Sequence, residues 1–290
     1  MFIKQERQHY PVAMLCTVMK VSRSGYYDYL QSETSAKAKQ DMLLQAEVMA
    51  LAIVSRHSYG SRQMAKNLQN KGYCVGRYRA RTLMKKAKVV CKQRRRYKNT
   101  TNSKHALPVA QNVLNRQFTT ELPNCAWVGD ITYLWTLEGW LYIAAILDLF
   151  SRRVVGWAMA SHMEESLVSQ ALAMALGRRQ PETGLLHHSD RGVQYASDNY
   201  QARLKAAGIT VSMSRKGNCW DNAVMERFWG SLKSERTDGC IYLTREEAKA
   251  DVIDYIEMFY NSVRLHSTLG YVSPVQFEKR FLLNNVSVFT

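Results

Sequence analysis

Hydrophobic positions with helical spacing dominate the first part of the chain. The segment 42–56 (MLLQAEVMALAIVSR) places apolar residues on a helical repeat. Ser61 is suited to cap a helix that ends near Asn70, and a second helix is expected over 77–88. Two helices joined by a short glycine-containing turn are typical of a helix-turn-helix, although ordinary helical hairpins show the same pattern.

From residue 124 onward the pattern changes to short apolar runs of strand length. Three of them follow one another closely: WVGDITYLW, WLYIAAILDLF and RRVVGWAMA. Helical and strand-like segments then alternate: EESLVSQALAMALG, GLLHHSD, residues 198–207, ITVSMS and NAVMERFWGSLKSE. A last long helix over 244–264 begins with a capping box of Thr244 and Glu247. This order predicts an α/β fold, with a mixed five-stranded sheet and helices on its faces.

Basic residues are concentrated in the part of the chain that is predicted to be helical. The formal net charge of the whole chain is +16. Residues 1–118 hold 23 Lys and Arg against 5 Asp and Glu, whereas residues 119–290 hold 17 against 19. The positive excess therefore belongs to the first segment, as expected for a nucleic-acid-binding region joined to a near-neutral module. A basic surface that serves only solubility is the alternative.

These patterns divide the 290 residues into four regions. They are a basic, all-α, helix-turn-helix-like region, a polar linker, an α/β core, and a C-terminal helix with a tail that completes the core, over residues 1–98, 99–122, 123–236 and 237–290. We expect the last helix to end near Arg264 and to be followed by a loop, which Gly270 and Pro274 stop.

The six cysteines show no pattern of a metal site or of a disulfide framework. None forms a Cys-x-x-Cys pair, and no histidine pair at zinc-finger spacing accompanies them. We therefore expect reduced thiols in a cytoplasmic protein. No signal peptide is visible, and the longest apolar run, Leu141–Leu147, is far too short to span a bilayer. No association with a membrane is expected.

Three carboxylates in separate sequence contexts form the strongest candidate for a site. Asp130 lies inside the first predicted strand, Asp190 just after the fourth, and Glu226 on the helix that follows the fifth. Mg²⁺ prefers oxygen ligands and is usually bound by a few carboxylates together with substrate phosphate. Three such side chains on rigid elements predict a site for two divalent metal ions and a phosphate. Taken singly, each has a structural alternative, as a strand-edge residue, a partner of Arg191 or a solvated helix residue.

Other polar residues near these three are assigned structural roles. Asp148 ends the second predicted strand, where neighbouring polar side chains can hydrogen-bond it. Asp221 and Asn222 precede the helix of the third carboxylate and are predicted to be N-cap residues. His187 and His188 come directly before the second carboxylate but are not placed among the metal ligands.

Basic side chains provide the candidate contacts to nucleic-acid phosphates. Lys233 lies seven residues after Glu226, on the same face of the predicted helix. The stretch 77–98 contains eleven Lys and Arg and no acidic residue. The candidates in this stretch are Arg77, Arg79, Arg81, Lys85, Lys86, Arg94, Arg95 and Arg96. The last three are expected to contact phosphates rather than bases, so they would add affinity for any sequence.

Five motifs mark the C-terminal part of the chain: WxxDITYL, DxFSRxxVGW, HHSDRGxQY, WDNAxxERFWxxLKxE and YNxxRxHSxLGYxSPxxF. Over about residues 120–280 they resemble the transposases of the bacterial insertion sequence three family, specifically the product of the second reading frame. The upstream segments YGSRQMAKNLQ and TLMKKAKV resemble the helix-turn-helix-like domain that precedes the core in that family.

The resemblance implies a ribonuclease-H-like catalytic core of the retroviral integrase type, and DNA breakage and joining. Asp130, Asp190 and Glu226 match the acidic triad of the family residue by residue. The implied cofactor is Mg²⁺, or Mn²⁺, with two ions held when DNA is bound. Water would first expose a 3′-OH at a transposon end, and this 3′-OH would then attack another phosphodiester without a covalent enzyme–DNA intermediate.

The resemblance also implies partners. They are double-stranded DNA, as transposon terminal repeats and as target, further copies of this chain, and a first-frame protein with its own helix-turn-helix and leucine zipper. The expected location is the bacterial cytoplasm, on the nucleoid when DNA is bound. Two alternatives remain: a ribonuclease-H-like nuclease that hydrolyses DNA without joining it, and an inactive DNA-binding regulator, against which the intact triad argues.

Overall fold

The structure, a computed structural model, describes residues 2–31, 36–92 and 107–286. Six helices of the described chain precede the first strand. They are α1 (Phe2–Glu6), α2 (Val12–Val18), α3 (Arg23–Gln31), α4 (Ala36–Val54), α5 (Ser61–Asn70) and α6 (Arg77–Lys86). The predicted helix-turn-helix-like pair corresponds to α5 and α6. The Ser61 side chain is not the cap of α5, because Gly60 takes the N-cap position.

The first six helices build two small cores. Side chains of α1, α2 and α3 meet around Leu15, Cys16 and Tyr26. A second cluster joins α4, α5 and α6, with Met64 and Leu68 fully buried at its centre. The buried positions of α5 fall at Met64, Ala65 and Leu68, the helical spacing that the sequence pattern predicts.

The five predicted strands form one sheet. They are β1 (Ala126–Thr136), β2 (Gly139–Asp148), β3 (Val154–Ala160), β4 (Leu186–Ser189) and β5 (Thr210–Met213). Their order across the sheet is β3-β2-β1-β4-β5. β1 pairs antiparallel with β2, and β2 with β3, whereas β4 is parallel to both β1 and β5. The prediction of a mixed five-stranded α/β sheet is confirmed, and the architecture is that of a ribonuclease-H-like fold.

Helices cover both faces of this sheet. On one face lie α7 (Glu165–Arg179), α8 (Val193–Ala196) and α9 (Asp198–Ala206), around Trp127 of β1. On the other lie α10 (Ala223–Leu232), α11 (Arg245–Ile253) and the π-helical turn 254–260, around Val128 of β1. Adjacent β1 side chains thus enter opposite cores, as the two-residue repeat of a strand requires.

The close contact between α7 and β3 depends on a glycine. A methyl group built on Gly156 would lie 2.2 Å from the carbonyl oxygen of Ala171. Only a residue without a Cβ lets the helix backbone approach the strand this closely.

The helix prediction for the last long segment needs two corrections. The α-helix of 244–264 is shorter, because α11 ends at Ile253 and continues as a π-helical turn, Asp254–Tyr260. The tail also contains a further helix, α12 (Pro274–Val286), which the sequence analysis did not predict. Proline is favoured in the first turn of a helix, so Pro274 both ends the predicted loop and starts this helix.

The predicted linker 99–122 is packed against the core in its described part, 107–122. Leu114 is buried among core residues. The backbone N–H groups of Val113 and Leu114 donate to Ser212 Oγ at 2.9 and 3.1 Å. We name residues 107–122 the strap. The strap packs against β5, which is an edge strand of the sheet.

The structure also bears on the expectations about cysteines and membranes. The five cysteines with described side chains are free thiols: Cys16, Cys74, Cys91, Cys125 and Cys240. Among the described residues, no helix combines the length and hydrophobicity that crossing a bilayer requires.

Candidate active site

The parallel pairing of β1 and β4 places two of the predicted carboxylates side by side. Val128 of β1 is in register with His188 of β4. Asp130 and Asp190 each follow two residues later, so both lie just beyond the paired residues of adjacent strands. Neighbouring strands are separated by about 4.8 Å. The register therefore brings these two carboxylates together at one end of the β1–β4 pair.

The third carboxylate approaches from the helix layer. Glu226 is exposed on α10, and α10 packs on the face of β1 that contains Val128. Three residues further along this helix, Trp229 donates its Nε1–H to Asp130 Oδ2 at 3.1 Å. This hydrogen bond ties the helix that carries Glu226 directly to the strand carboxylate.

Asp130 has a second hydrogen bond, in which Ile131 N–H donates to its Oδ1 at 2.9 Å. Burial raises the pKa of Asp130 well above its ordinary value, and the negative charges of Asp190 and Glu226 raise it further. Partial burial also raises the pKa of Glu226. A cation placed among these side chains would relieve the repulsion and the loss of hydration.

Asp190 is held by the turn that follows β4. Gly192 N–H donates to Asp190 Oδ1 at 2.9 Å. A methyl group on Gly192 would lie 3.0 Å from the same oxygen. A larger residue than glycine at position 192 would therefore push against the carboxylate that its backbone N–H supports.

Lys233 lies close to this site. It begins the π-helical turn 233–237 directly after α10, and its Nζ is 5.5 Å from the centre of the Tyr133 ring. Burial lowers the pKa of Lys233, while Asp238 and Asp130 act in the opposite direction. The Lys233 ammonium group therefore contributes positive charge near Asp130.

The donor chemistry of the three carboxylates suits a hard divalent cation, because all their ligand atoms are oxygens. In the described part of the chain, no three His, Cys, Asp or Glu side chains are already gathered at metal-binding distance. The charges of Asp190 and Glu226 both raise the pKa of Asp130, which agrees with the placement of the three side chains around the end of the β1–β4 pairing. These three residues fit a metal that is bound together with a phosphate ligand.

The structural role predicted for Asp148 is supported by its surroundings. It is completely buried, and its carboxylate accepts hydrogen bonds from Phe150 N, Asn124 N and Arg179 Nη2 at 3.0 to 3.1 Å. Arg179 also pairs with Glu278 of α12. These three hydrogen-bond donors hold the Asp148 carboxylate in a structural role.

The N-cap prediction for Asp221 is wrong. Asp221 lies in a 3-10 turn, is fully buried, and accepts hydrogen bonds from Arg116, Arg215 and Asn112 at 2.8 to 2.9 Å. Its carboxylate thus joins the strap to the turn before α10. Asn222 takes the N-cap position without a capping hydrogen bond, and its side-chain amide donates to Gly129 O at 3.3 Å.

Both histidines before Asp190 are buried in the protein interior. His187 Nε2 is 2.7 Å from Tyr200 OH, and the two ring nitrogens of His188 lie 2.8 Å from Ser212 Oγ and 3.2 Å from Ser214 Oγ. Burial lowers the pKa of His187 to about 3 and that of His188 to about 4. These neutral rings support the strand ends.

The predicted contacts on α6 separate into two faces. Arg79 and Lys86 turn toward α4 and both pair with Asp41, at 3.1 and 3.0 Å. The other three, Arg77, Arg81 and Lys85, are exposed and are spaced four residues apart. That spacing forms one basic stripe along the helix. Arg94, Arg95 and Arg96 lie outside the described residues.

Comparison with protein families gives the class of the chain. An integrase core domain model matches residues 120–219, and a second integrase core domain model matches residues 226–282. An HTH-like domain model matches residues 38–97. The chain is thus an integrase-core protein with a helix-turn-helix-like domain in front of the core.

Curated relatives narrow this class. An "Insertion element IS600 uncharacterized 31 kDa protein" of Shigella sonnei is 45% identical over 92% of this chain and 98% of its own length. "Transposase InsF for insertion sequence IS3A" of Escherichia coli (strain K12) is 38% identical over 97% and 98%. The chain belongs to the IS3 family of insertion-sequence transposases.

Solved structures with the same kind of core show more distant similarity. The intasome structure of simian T-cell lymphotropic virus, in complex with a PP2A regulatory subunit, contains a chain with 18% identity and a TM-score of 0.46. The match covers 73% of this chain and 69% of that one. The HTLV-2 integrase catalytic core domain in complex with magnesium, in its dimeric form, shows 18% identity and a TM-score of 0.41, over 54% and 97%.

Proposed function

We propose that the protein is a Mg²⁺-dependent DNA transposase that cleaves transposon ends and transfers the resulting 3′-OH to target DNA. The observation that carries this proposal is the arrangement of Asp130, Asp190 and Glu226. Asp130 of β1 and Asp190, just after β4, lie side by side where the parallel pairing of these strands ends, and Glu226 lies on α10, which Trp229 ties to Asp130. Membership of a transposase family supports the same reaction.

The proposed mechanism assigns the triad to metal binding and the surrounding residues to positioning. Two bound Mg²⁺ ions would activate the attacking oxygen and stabilise the leaving one. Trp229 and Ile131 fix the carboxylate of Asp130 through hydrogen bonds to its two oxygens. Lys233 would neutralise part of the charge of the phosphate that lies over the triad. Orientation and charge neutralisation then suffice, because no covalent enzyme–DNA intermediate is involved.

We assign DNA binding to the basic helical region, residues 1–98. Within the described residues, the proposed contacts are Arg77, Arg81 and Lys85 of α6. Arg79 and Lys86 remain candidates, but their pairing with Asp41 lowers the charge they offer. The catalytic core is proposed to cover residues 123–236, completed by residues 237–290. We further propose that the protein acts as an oligomer, because two transposon ends must be joined in one event, and that a first-frame protein assists it.

The test separates strand transfer from simple hydrolysis. Two kinds of donor are incubated with target DNA, Mg²⁺ and the full chain. One is an uncleaved duplex that extends from the element's end into flanking DNA, and the other is a pre-cleaved duplex whose strand stops at the element's last nucleotide with either a 3′-OH or a 3′-deoxy terminus. We expect cleavage of the uncleaved duplex, joined products with the pre-cleaved 3′-OH donor and none with the pre-cleaved 3′-deoxy donor. Cleavage of the uncleaved duplex without joining of the 3′-OH donor would instead identify a nuclease, and binding without cleavage or joining would identify a regulator.

A further inference from the structure

A basic pocket of about 570 Å³ lies between the helix-turn-helix-like region and the catalytic core. Its walls come from α5, from α10, and from the segment after the π-helical turn 254–260. Arg62 on α5, Arg152 in the β2–β3 turn, Arg227 on α10, and Arg264 line it together with His266. We name it the arginine pocket. Its volume is in the range of small-ligand sites, about 300–1,000 Å³.

The charge of the arginine pocket is strongly positive. Four arginines line it, and no Asp or Glu is among its lining residues. Arg264 is neutralised from behind, since its guanidinium binds Glu235 at 2.7 Å. The cavity therefore presents several arginine side chains and no carboxylate to a ligand. Nearby positive charges favour an anion as that ligand.

Two buried polar atoms of the pocket lack a partner among the described residues. They are Arg152 Nη1 and His266 Nε2. The other terminal nitrogen of Arg152 donates to Phe118 O at 2.6 Å, which fixes the guanidinium in place. Buried donors and acceptors are almost always hydrogen-bonded in folded proteins. A guanidinium nitrogen and an imidazole nitrogen that both lack a protein partner in one cavity are suited to bind a ligand that can satisfy both.

The environment of His266 agrees with this reading. Its ring stacks edge to face on Tyr260, with ring centres 4.9 Å apart. Burial lowers the pKa of His266 well below its ordinary value, and the charges of Arg264, Arg152 and Arg227 lower it further. The imidazole is therefore neutral in the ligand-free protein. A bound anion would offset the three arginine charges that act on it.

We propose that the arginine pocket binds a backbone phosphate of DNA. A phosphate oxygen can accept hydrogen bonds from Arg152 and His266 together, and planar guanidinium groups match the geometry of a phosphate. The choice of DNA as the source of this phosphate rests on the proposed transposase function. A free inorganic phosphate offers the same chemistry and is distinguished below.

The position of the pocket gives this phosphate a specific use. Arg227 directly follows Glu226 on α10, and Arg62 belongs to the helix-turn-helix-like region. The region and the core are already joined here, because Tyr59 OH donates to Val263 O and accepts from Leu265 N, both at 3.1 Å. One phosphate in the pocket would thus fix the DNA relative to both parts of the protein and to the helix of the third carboxylate.

The test uses the full chain and a short duplex of the element's end. Arg62→Gln and Arg227→Gln change exposed side chains and should fold normally, while Arg152→Gln removes the buried donor. Each of the three substitutions is expected to raise the Kd for the duplex about tenfold or more. Each should also reduce the slope of log K against log salt by about 0.9, the contribution of one phosphate contact. Arg203→Gln on α9, on the opposite face of the sheet, removes the same charge and is the matched control.

Duplexes with single uncharged methylphosphonate linkages locate the phosphate. One linkage should weaken binding by the wild-type chain but have no additional effect on Arg227→Gln. Equal binding of the duplex by Arg62→Gln, Arg227→Gln and the control would overturn the proposal. So would orthophosphate that shifts the His266 ring resonances and is not displaced by the duplex, because the pocket would then hold a free anion. Failure of the transposase proposal is separate: the wild-type chain would bind DNA and leave it unjoined.

Discussion

At the scale of single residues, the site depends on side chains that support the carboxylates. Trp229 illustrates this, since its burial alone is that of an ordinary core residue. Its indole N–H, however, is a donor to Asp130, and it lies one helical turn after Glu226. The spacing Glu-x-x-Trp places both side chains on one side of α10. Periodicity along α10 predicts only that Trp229 is buried, and the hydrogen bond to Asp130 becomes visible in the structure.

Replacing Trp229 by Phe should therefore slow strand transfer more than it destabilises the fold. The lost hydrogen bond to a charged acceptor corresponds to about a tenfold lower rate, while the smaller ring costs about 1 kcal/mol of unfolding free energy. Joining assays and thermal unfolding measure the two effects. Trp220→Phe is the control, because Trp220 is 69% exposed and should leave both unchanged. A Trp229→Phe variant that joins DNA at the wild-type rate would contradict the role.

Asp221 provides a prediction for pH dependence. Its hydrogen bonds with Arg215 are the main cause that holds its pKa well below the ordinary value of 3.8. The unfolded chain therefore takes up the proton first, so the stabilisation is complete above about pH 4 and is lost as the pH falls further. Asp221→Asn should lower the unfolding free energy by about 2 kcal/mol at pH 7 and remove this acid-dependent loss.

Unfolding measured between neutral and acidic pH checks this behaviour. Glu246→Gln is the comparison, because Glu246 makes an exposed i,i+3 pair with Lys249, worth well under about 1 kcal/mol. A parallel pH dependence for the wild-type chain and Asp221→Asn would show that the Arg116–Asp221–Arg215 cluster does not contribute.

At the scale of secondary-structure elements, the hydrophobic pattern predicted the strands and most helices of the core. The triad residues were correctly placed on elements, since a strand, a strand end and a helix can all be read from local periodicity. The strap and α12 were not predicted. Both depend on contacts distant in sequence, such as Asn112 with Asp221 and Ser151 with Glu278. Local patterns contain no information on such pairings.

The packing of α7 on β3 gives a stability prediction for two glycines. Gly156→Ala would place a methyl group 2.2 Å from Ala171 O, so the helix must move away from the strand. We expect a loss of about 1–3 kcal/mol in unfolding free energy. Gly177→Ala on α7 is the matched control, because nothing lies within 4 Å of the added methyl group. Alanine is the better helix former, so this variant should gain about 0.5–1 kcal/mol. Thermal unfolding that shifts both variants in the same direction would refute the argument.

At the scale of the whole molecule, a basic helical region is joined to a near-neutral core. The sequence alone does not distinguish among the basic residues of α6, whereas the structure shows which of them pair with an acidic side chain. Two of them pair with Asp41, and three form an exposed stripe. The sequence could indicate where positive charge is concentrated, but only the packing of α6 on α4 shows which side chains remain available to DNA.

The stripe should therefore carry a measurable share of non-specific DNA affinity. Changing Arg77, Arg81 and Lys85 together to Gln should reduce the salt slope of binding by up to about 3, with similar losses for any DNA sequence. The matched control changes Lys71, Arg178 and Lys249 to Gln, since each already pairs with an acidic side chain. Equal slopes for the two triple variants in a salt titration would rule out the stripe as a DNA contact.

The central claim is that Asp130, Asp190 and Glu226 together form the site of DNA cleavage and joining. The most direct measurement compares wild type with Asp190→Asn in a strand-transfer assay with end DNA and Mg²⁺. Asp198→Asn, an exposed change on α9, serves as the control. We predict that Asp190→Asn binds the end DNA but neither cleaves nor joins it, while Asp198→Asn does both. Cleavage and joining by Asp190→Asn at the wild-type rate would contradict the account.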